Sequence, residues 1–264
     1  MTHGSLFTGI GGFDLAAAWA GIPTLWQVEI DPYCRAVLQK HFPEAKIHED
    51  IKKIKKGELE PVDIISGGFP CQPFSVAGKR RGKADDRYLW PEMLRIISEI
   101  RPTWAICENV PGIIGMEPDN CMSDLEAEGY EVQTFIVPAC AVDAPHRRDR
   151  VWIVAHSNGG GLPEPCICEE QQGRTKTIRT SQNLADAACE LLDRNRETRR
   201  RRGEFTDGCR WLPEPGVGRV AHGVPRRVGR LRALGNAIVP QVAYQIFKAI
   251  MEVENEKNNK TKIN

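Results

Sequence analysis

A cysteine in a stiffened loop, a carboxylate and two guanidinium groups are the side chains of this sequence best suited to covalent chemistry. Cys71 stands in GGFPCQPFS, between Pro70 and Gln72 with Pro73 following. Prolines so placed restrict the backbone, which suits a thiol that must be aimed. Most cysteines are inert buried thiols, but the glycines and prolines around this one set it apart. Glu108 in ENV, and Arg148 and Arg150 in HRRDR, border predicted strands, so a carboxyl group and two permanently charged groups can converge on the thiol. Such cations lower a thiol pKa from about 8.5 towards neutrality and make it a nucleophile. A structural ion pair would use the same residues.

A second group of residues suits a nucleoside. The turn carrying Gly9, Gly11 and Gly12 lets backbone amides approach a ligand closely. Glu29 follows by about 20 residues, the spacing at which an acid can accept hydrogen bonds from a ribose. Asp50, in HEDIKKI, can accept from an adenine amine. Glu29 and Asp50 each also fit a helix cap, and together they favour an adenosine site.

The elements that must position these residues follow from the pattern of the first 155 residues, where short apolar runs alternate with helical periodicity. That is the signature of an α/β fold with a doubly wound, mostly parallel sheet. SLF, TLWQVEI, VDIIS, TWAICE, EVQTFIV and RVWIVA read as strands, and DLAAAWA as a helix. Asp31 is placed to cap a helix beginning at Pro32. Leu89, Met93, Ile96, Ile97 and Ile100 share one helical face. In such sheets ligands gather beyond the carboxyl ends of the strands, which is where GIGG, Glu29, Cys71 and Glu108 fall. After residue 155 the texture becomes polar and rich in Gly and Pro, without periodicity, until about residue 225. Residues 226–253 look structured again, with Val242, Ile246 and Ile250 on one stripe. The polar 254–264 read as a disordered tail.

With 41% hydrophobic and 27% charged residues, the 264-residue chain suits a soluble protein with one good core. No apolar run approaches the roughly 20 residues of a membrane span, and the reading is cytoplasmic. Nine cysteines at irregular spacing favour thiols over a disulfide framework. Cys166 and Cys168 lack the second ligand pair a zinc site needs, so no metal is expected. The net charge of +1 hides an asymmetry: between Arg194 and Arg232 twelve arginines face four acids, leaving +8 there and −7 elsewhere. Such a run is either a solvated loop or a surface for phosphates and guanine edges.

In order, SLFTGIGGF, VEIDPY, HEDI, GGFPCQPFS, CENVPG, APHRRDRVWIVA and LGNAIVP resemble the DNA cytosine-5 methyltransferases of bacteria and phages. The resemblance spans all but residues 156–225 and the tail. It implies a Rossmann-like methyltransferase domain over 1–155, a target-recognition region over 156–225 and a returning segment over 226–253. It implies that Cys71 attacks carbon 6 of a flipped-out cytosine, with Glu108 at N3 and the exocyclic amine and Arg150 and Arg148 orienting the base. It implies S-adenosyl-L-methionine as cofactor, held by Phe7, Gly9, Gly11, Gly12, Glu29, Ile30, Asp50, Ile51 and Asn236. Double-stranded DNA would be the partner, a cognate restriction endonuclease a second one, and the protein a monomer. Ser5 stands where the family usually has aspartate, and His146 where it commonly has glutamine. Two other readings share these motifs: a transfer-RNA cytosine-5 methyltransferase of the same fold, and a catalytically inactive DNA-binding regulator.

Overall fold

The computed structural model describes residues 1–70, 88–115, 118–157 and 227–261. Its strands are β1 (His3–Leu6), β2 (Thr24–Val28), β3 (Lys46–His48), β4 (Ile64–Gly67), β5 (Trp104–Asn109), β6 (Tyr130–Pro138) and β7 (Asp149–Ser157). They form one sheet in the order β3-β2-β1-β4-β5-β7-β6. β1 to β5 are mutually parallel, and β7 runs antiparallel between β5 and β6. The helices are α1 (Gly12–Trp19), α2 (Pro32–His41), α3 (Trp90–Ile100), α4 (Pro118–Ala127), α5 (Arg227–Asn236) and α6 (Pro240–Thr261). The expected α/β architecture is thus present, with one reversed strand near its edge.

Helices cover both faces of the sheet, which is why the central strands β1 and β4 are buried along their whole length rather than alternately. Ile65, Val151 and Ile153 face Trp90, Met93, Ile96 and Ile97 of α3 and Leu125 of α4. The neighbouring Ile64 and Trp152 point the other way, into Phe13 and Ala17 of α1 and Val242, Phe247 and Ile250 of α6. Asp31 caps α2 as expected: its Oδ1 accepts from the N–H of Tyr33 at 2.8 Å and of Cys34 at 3.3 Å. Pro32 occupies the first turn, where no N–H is needed.

Three features differ from the sequence expectation. α6 continues through Thr261, so residues 254–261 are helical rather than a frayed tail. Glu254 accepts from Trp104 Nε1 at 3.1 Å, and Lys257 Nζ lies 2.8 Å from His156 Nε2, so polar side chains tie this end of the helix to the sheet. On α6 the fully buried aromatic residue is Phe247, and Ile246 is only partly covered. Cys34, Cys107 and Cys121 are buried thiols outside any disulfide, whereas Cys140 is disulfide-bonded. Residues 158–226, which hold nearly all of the target-recognition region expected over 156–225, lie outside the described residues. Among those residues no helix is long and apolar enough to cross a membrane.

Candidate active site

β4 and β5 are adjacent and parallel, so the chain leaving β4 at Gly67 passes beside the end of β5. Gly68 suits that position because a Cβ on it would sit 3.0 Å from Glu108 Oε2, close enough that the carboxylate would have to shift to admit a side chain. One residue on, the carbonyl of Phe69 accepts from Asn109 Nδ2 at 3.1 Å, while Asn109 Oδ1 accepts from the N–H of Val110 at 2.9 Å. Asn109 thereby fixes the path of the backbone into Pro70. Cys71 follows immediately in sequence and lies outside the described residues.

Glu108 is 9% exposed, and Arg150 Nε meets its Oε1 at 2.9 Å. The pair forms because β7 is reversed: its amino-terminal end lies beside the carboxyl end of β5, with Glu108 opposite Trp152 and Asn109 opposite Val151. Burial pushes the Glu108 pKa up to about 7 against the opposing pull of Arg150 and then Arg148. The carboxyl can therefore carry or release a proton near neutrality, which suits a hydrogen-bond donor to a nitrogen base. Arg148 points elsewhere: its Nη2 donates to the carbonyls of Gly235 at 2.8 Å and Ala237 at 2.7 Å.

The residues expected to hold a nucleoside begin at the ends of β1 and β2. Phe7, Gly9 and Gly11 all have positive φ, of 51°, 59° and 87°, and Gly11 starts α1 in the left-handed region that glycine occupies without strain. Glu29 is 8% exposed. Its Oε2 accepts from the Gly9 N–H at 2.7 Å and its Oε1 from the Asp31 N–H at 2.8 Å, so one carboxylate joins the two loops. Ile30 is 70% exposed beside it. Asp50 caps the 3-10 turn Ile51–Lys53, accepting from the Lys52 N–H at 3.0 Å. Ile51 is buried in the core. Asn236 is exposed at the end of α5.

Two groups escaped the sequence reading. Asn109 was visible only as the middle of ENV, and nothing local points to its partner forty residues upstream. Asp14, also buried, accepts from Gln27 Nε2 at 2.7 Å and adjoins Ser5. Burial lifts its carboxyl to about 6, with the hydrogen bond from Gln27 acting against the rise. An acid from α1 therefore reaches the spot next to Ser5 where the family's strand acid is missing. The buried cysteines are poor nucleophiles: burial raises Cys107 to about 12, and burial with Glu29 and Asp31 raises Cys34 to about 12. Among the described residues no cluster of His, Cys, Asp and Glu could hold a metal ion.

Comparison with known proteins gives this geometry a context. The type II methyltransferase M.Bsp6I of Bacillus sp. (strain RFL6) is 33% identical over 195 residues, 69% of this chain and 60% of that protein. The type II methyltransferase M2.BsuMI of Bacillus subtilis (strain 168) is 37% identical over 160 residues, 57% of this chain and 41% of that protein. The chain thus spans less than two thirds of the length of either relative. The crystal structure of the Schizosaccharomyces pombe Dnmt2 methyltransferase aligns with a TM-score of 0.61 over 96% of this chain and 99% of its own, at 18% identity, a likeness of fold. The family described as C-5 cytosine-specific DNA methylase matches residues 1–205. That span holds β1 to β7 with the Glu108–Arg150 pair and the glycine turn, and the chain belongs to the C-5 cytosine-specific DNA methylases.

Proposed function

We propose that the protein transfers a methyl group from S-adenosyl-L-methionine to carbon 5 of cytosine in double-stranded DNA. The observation that carries this reading is the buried Glu108, paired with Arg150 at 2.9 Å beside the strand end that leads to Pro70 and Cys71. Carbon 6 is shielded in a stacked duplex, so the target cytosine leaves the helix before reaction. The Cys71 thiolate then adds to carbon 6. Glu108 donates to N3 and so keeps negative charge from building on the ring, Arg150 holds Glu108 and the base in register, and Arg148 adds positive potential. Carbon 5, made nucleophilic, takes the methyl group. Loss of its proton to a base and expulsion of the thiolate restore the aromatic ring and free Cys71.

The residues present fit the cofactor. A Cβ on Gly9 would meet nothing within 4 Å, so the space over the turn is open, and Ile30 offers an uncovered apolar surface to an adenine face. Glu29 would take the ribose hydroxyls, Asp50 the adenine amine, Phe7 and the glycines the methionine end, and Asn236 would close the pocket. When bound, the cofactor supplies an electrophilic methyl group. Residues 156–225 would choose the DNA sequence, their arginines meeting phosphates and base edges.

Sequencing methylated cytosines in DNA from cells expressing the protein would identify the target site. Purified protein given that duplex with 5-fluorocytosine at the target should then form an adduct that survives denaturing electrophoresis, because fluorine cannot leave carbon 5 as a proton does. Cys71→Ser should bind the duplex and form none. Methyl incorporation into transfer RNA and not into duplex DNA, or a Cys71→Ser variant with full turnover, would refute the proposal.

A further inference from the structure

The segment that returns to the sheet as α5 and the following turn touches both halves of the site. On the nucleoside side it is close-packed: a Cβ on Gly12 would lie 2.6 Å from Ile238 Cγ1, and one on Gly229 would lie 3.5 Å from the Tyr33 ring. Arg232 Nη1 lies 4.0 Å from Asp31 Oδ2. From the base side comes Arg148, whose Nη2 spends its two N–H groups on the carbonyls of Gly235 and Ala237. Those carbonyls flank Asn236, the residue placed at the mouth of the nucleoside pocket. The Gly235 carbonyl belongs to the last turn of α5, where carbonyls lack helical partners and a cation also meets the negative end of the helix dipole.

The two arginines of HRRDR therefore face different ways. Arg150 holds the Glu108 carboxylate, and Arg148 holds the returning segment. Arg148 has a φ of 41°, in the left-handed region that a residue with a Cβ occupies only when its surroundings impose it. That backbone turn sends successive arginines of the motif to separate targets.

We infer that Arg148 is a positioning residue that latches residues 235–238 across the cofactor cleft, so that the arginine motif of the base side fixes the closure of the cofactor side. The inference rests on the cofactor reading above. Loss of the latch leaves the pocket's parts in place but lowers the fraction of molecules in which Asn236 and Ile238 close over it. Apparent affinity falls by that fraction. If two charge-assisted hydrogen bonds are what keep the segment docked, their removal weakens cofactor-site binding by about tenfold or more.

The test is titration calorimetry with S-adenosylhomocysteine in the absence of DNA, where a side chain that only oriented the target base would have no effect. Arg148→Met should bind about tenfold more weakly than wild type or worse. Arg148→Lys, which keeps a cationic donor without the forked geometry, should fall between them, and Arg150→Met should stay within about twofold. Amide hydrogen exchange should quicken at residues 235–239 in Arg148→Met. Wild-type affinity in Arg148→Met, or an equal loss in Arg150→Met, overturns the inference. Should the Met variant fail to fold, the Lys variant decides, and an affinity equal to wild type overturns it. A wild-type protein that does not bind S-adenosylhomocysteine refutes the proposed function instead, and the two failures are thereby distinguished.

Discussion

Replacing Glu108 by glutamine should make folding stability less sensitive to pH, in a direction set by burial. Burial lifts the carboxyl from 4.5 to about 7, with Arg150 and then Arg148 opposing. The unfolded chain releases this proton at the lower value, while the folded chain keeps it to the higher one. Between the two the folded state binds more protons, so stability falls as pH rises. From about pH 5 to about pH 8 a displacement of that size amounts to about 2 to 3 kcal/mol, a substantial part of the stability of a marginally stable protein. Glu108→Gln has no proton to release, so its stability should fall by about that much less over the same interval. Urea unfolding of both proteins across the range supplies the comparison, and subtracting one curve from the other removes groups whose titration the substitution leaves alone. Parallel curves would refute the protonated, buried Glu108, and with it the idea that this carboxyl donates a hydrogen bond to the base near neutral pH. In catalysis the variant can still donate through its amide but delivers no proton, so adduct formation should slow by roughly a hundredfold or more.

The remaining predictions concern the cofactor half and the end of α6. Glu29→Gln should weaken S-adenosylmethionine binding by more than about tenfold, because its amide would turn a donor toward the N–H of Gly9 or of Asp31, both of which the carboxylate now accepts. Asp50→Ala should weaken it too, and unchanged calorimetric affinity in both variants would remove the proposed pocket. Ending the chain at Val253 removes the acceptor of Trp104 Nε1 and the Lys257 contact with His156. That should cost about 1 to 3 kcal/mol and lower the melting temperature by several degrees, whereas an unaltered melting curve would show that residues 254–261 contribute nothing to the fold.

What the sequence makes legible here is whatever depends on neighbours along the chain. The Asp31-Pro32 start of α2 is a local signal, and the structure bears it out atom by atom. The apolar periodicity of Met93, Ile96 and Ile97 is another, since a helix face is set by spacing alone. The end of α6 departs from the sequence expectation for the converse reason. Local polarity argued for fraying, and the partners that hold residues 254–257, Trp104 and His156, lie 150 and 101 positions away in sequence. Asn109 is invisible in the same sense, because its hydrogen bond to Phe69 spans forty residues.

The reversed strand is the feature on which the rest of the site depends. In an all-parallel sheet, residues just before a strand lie at the amino edge, far from the ligand crevice beyond the carboxyl ends. HRRDR straddles the start of β7, so a wholly parallel reading would carry Arg150 to the wrong side of the sheet. Inserting β7 antiparallel between β5 and β6 brings its start to the carboxyl edge and lets Arg150 reach Glu108 at 2.9 Å. The same reversal delivers Arg148 to the turn at Gly235 and Ala237. One departure from parallel order thus supplies the counter-charge that a buried carboxyl needs and a cation for the end of α5.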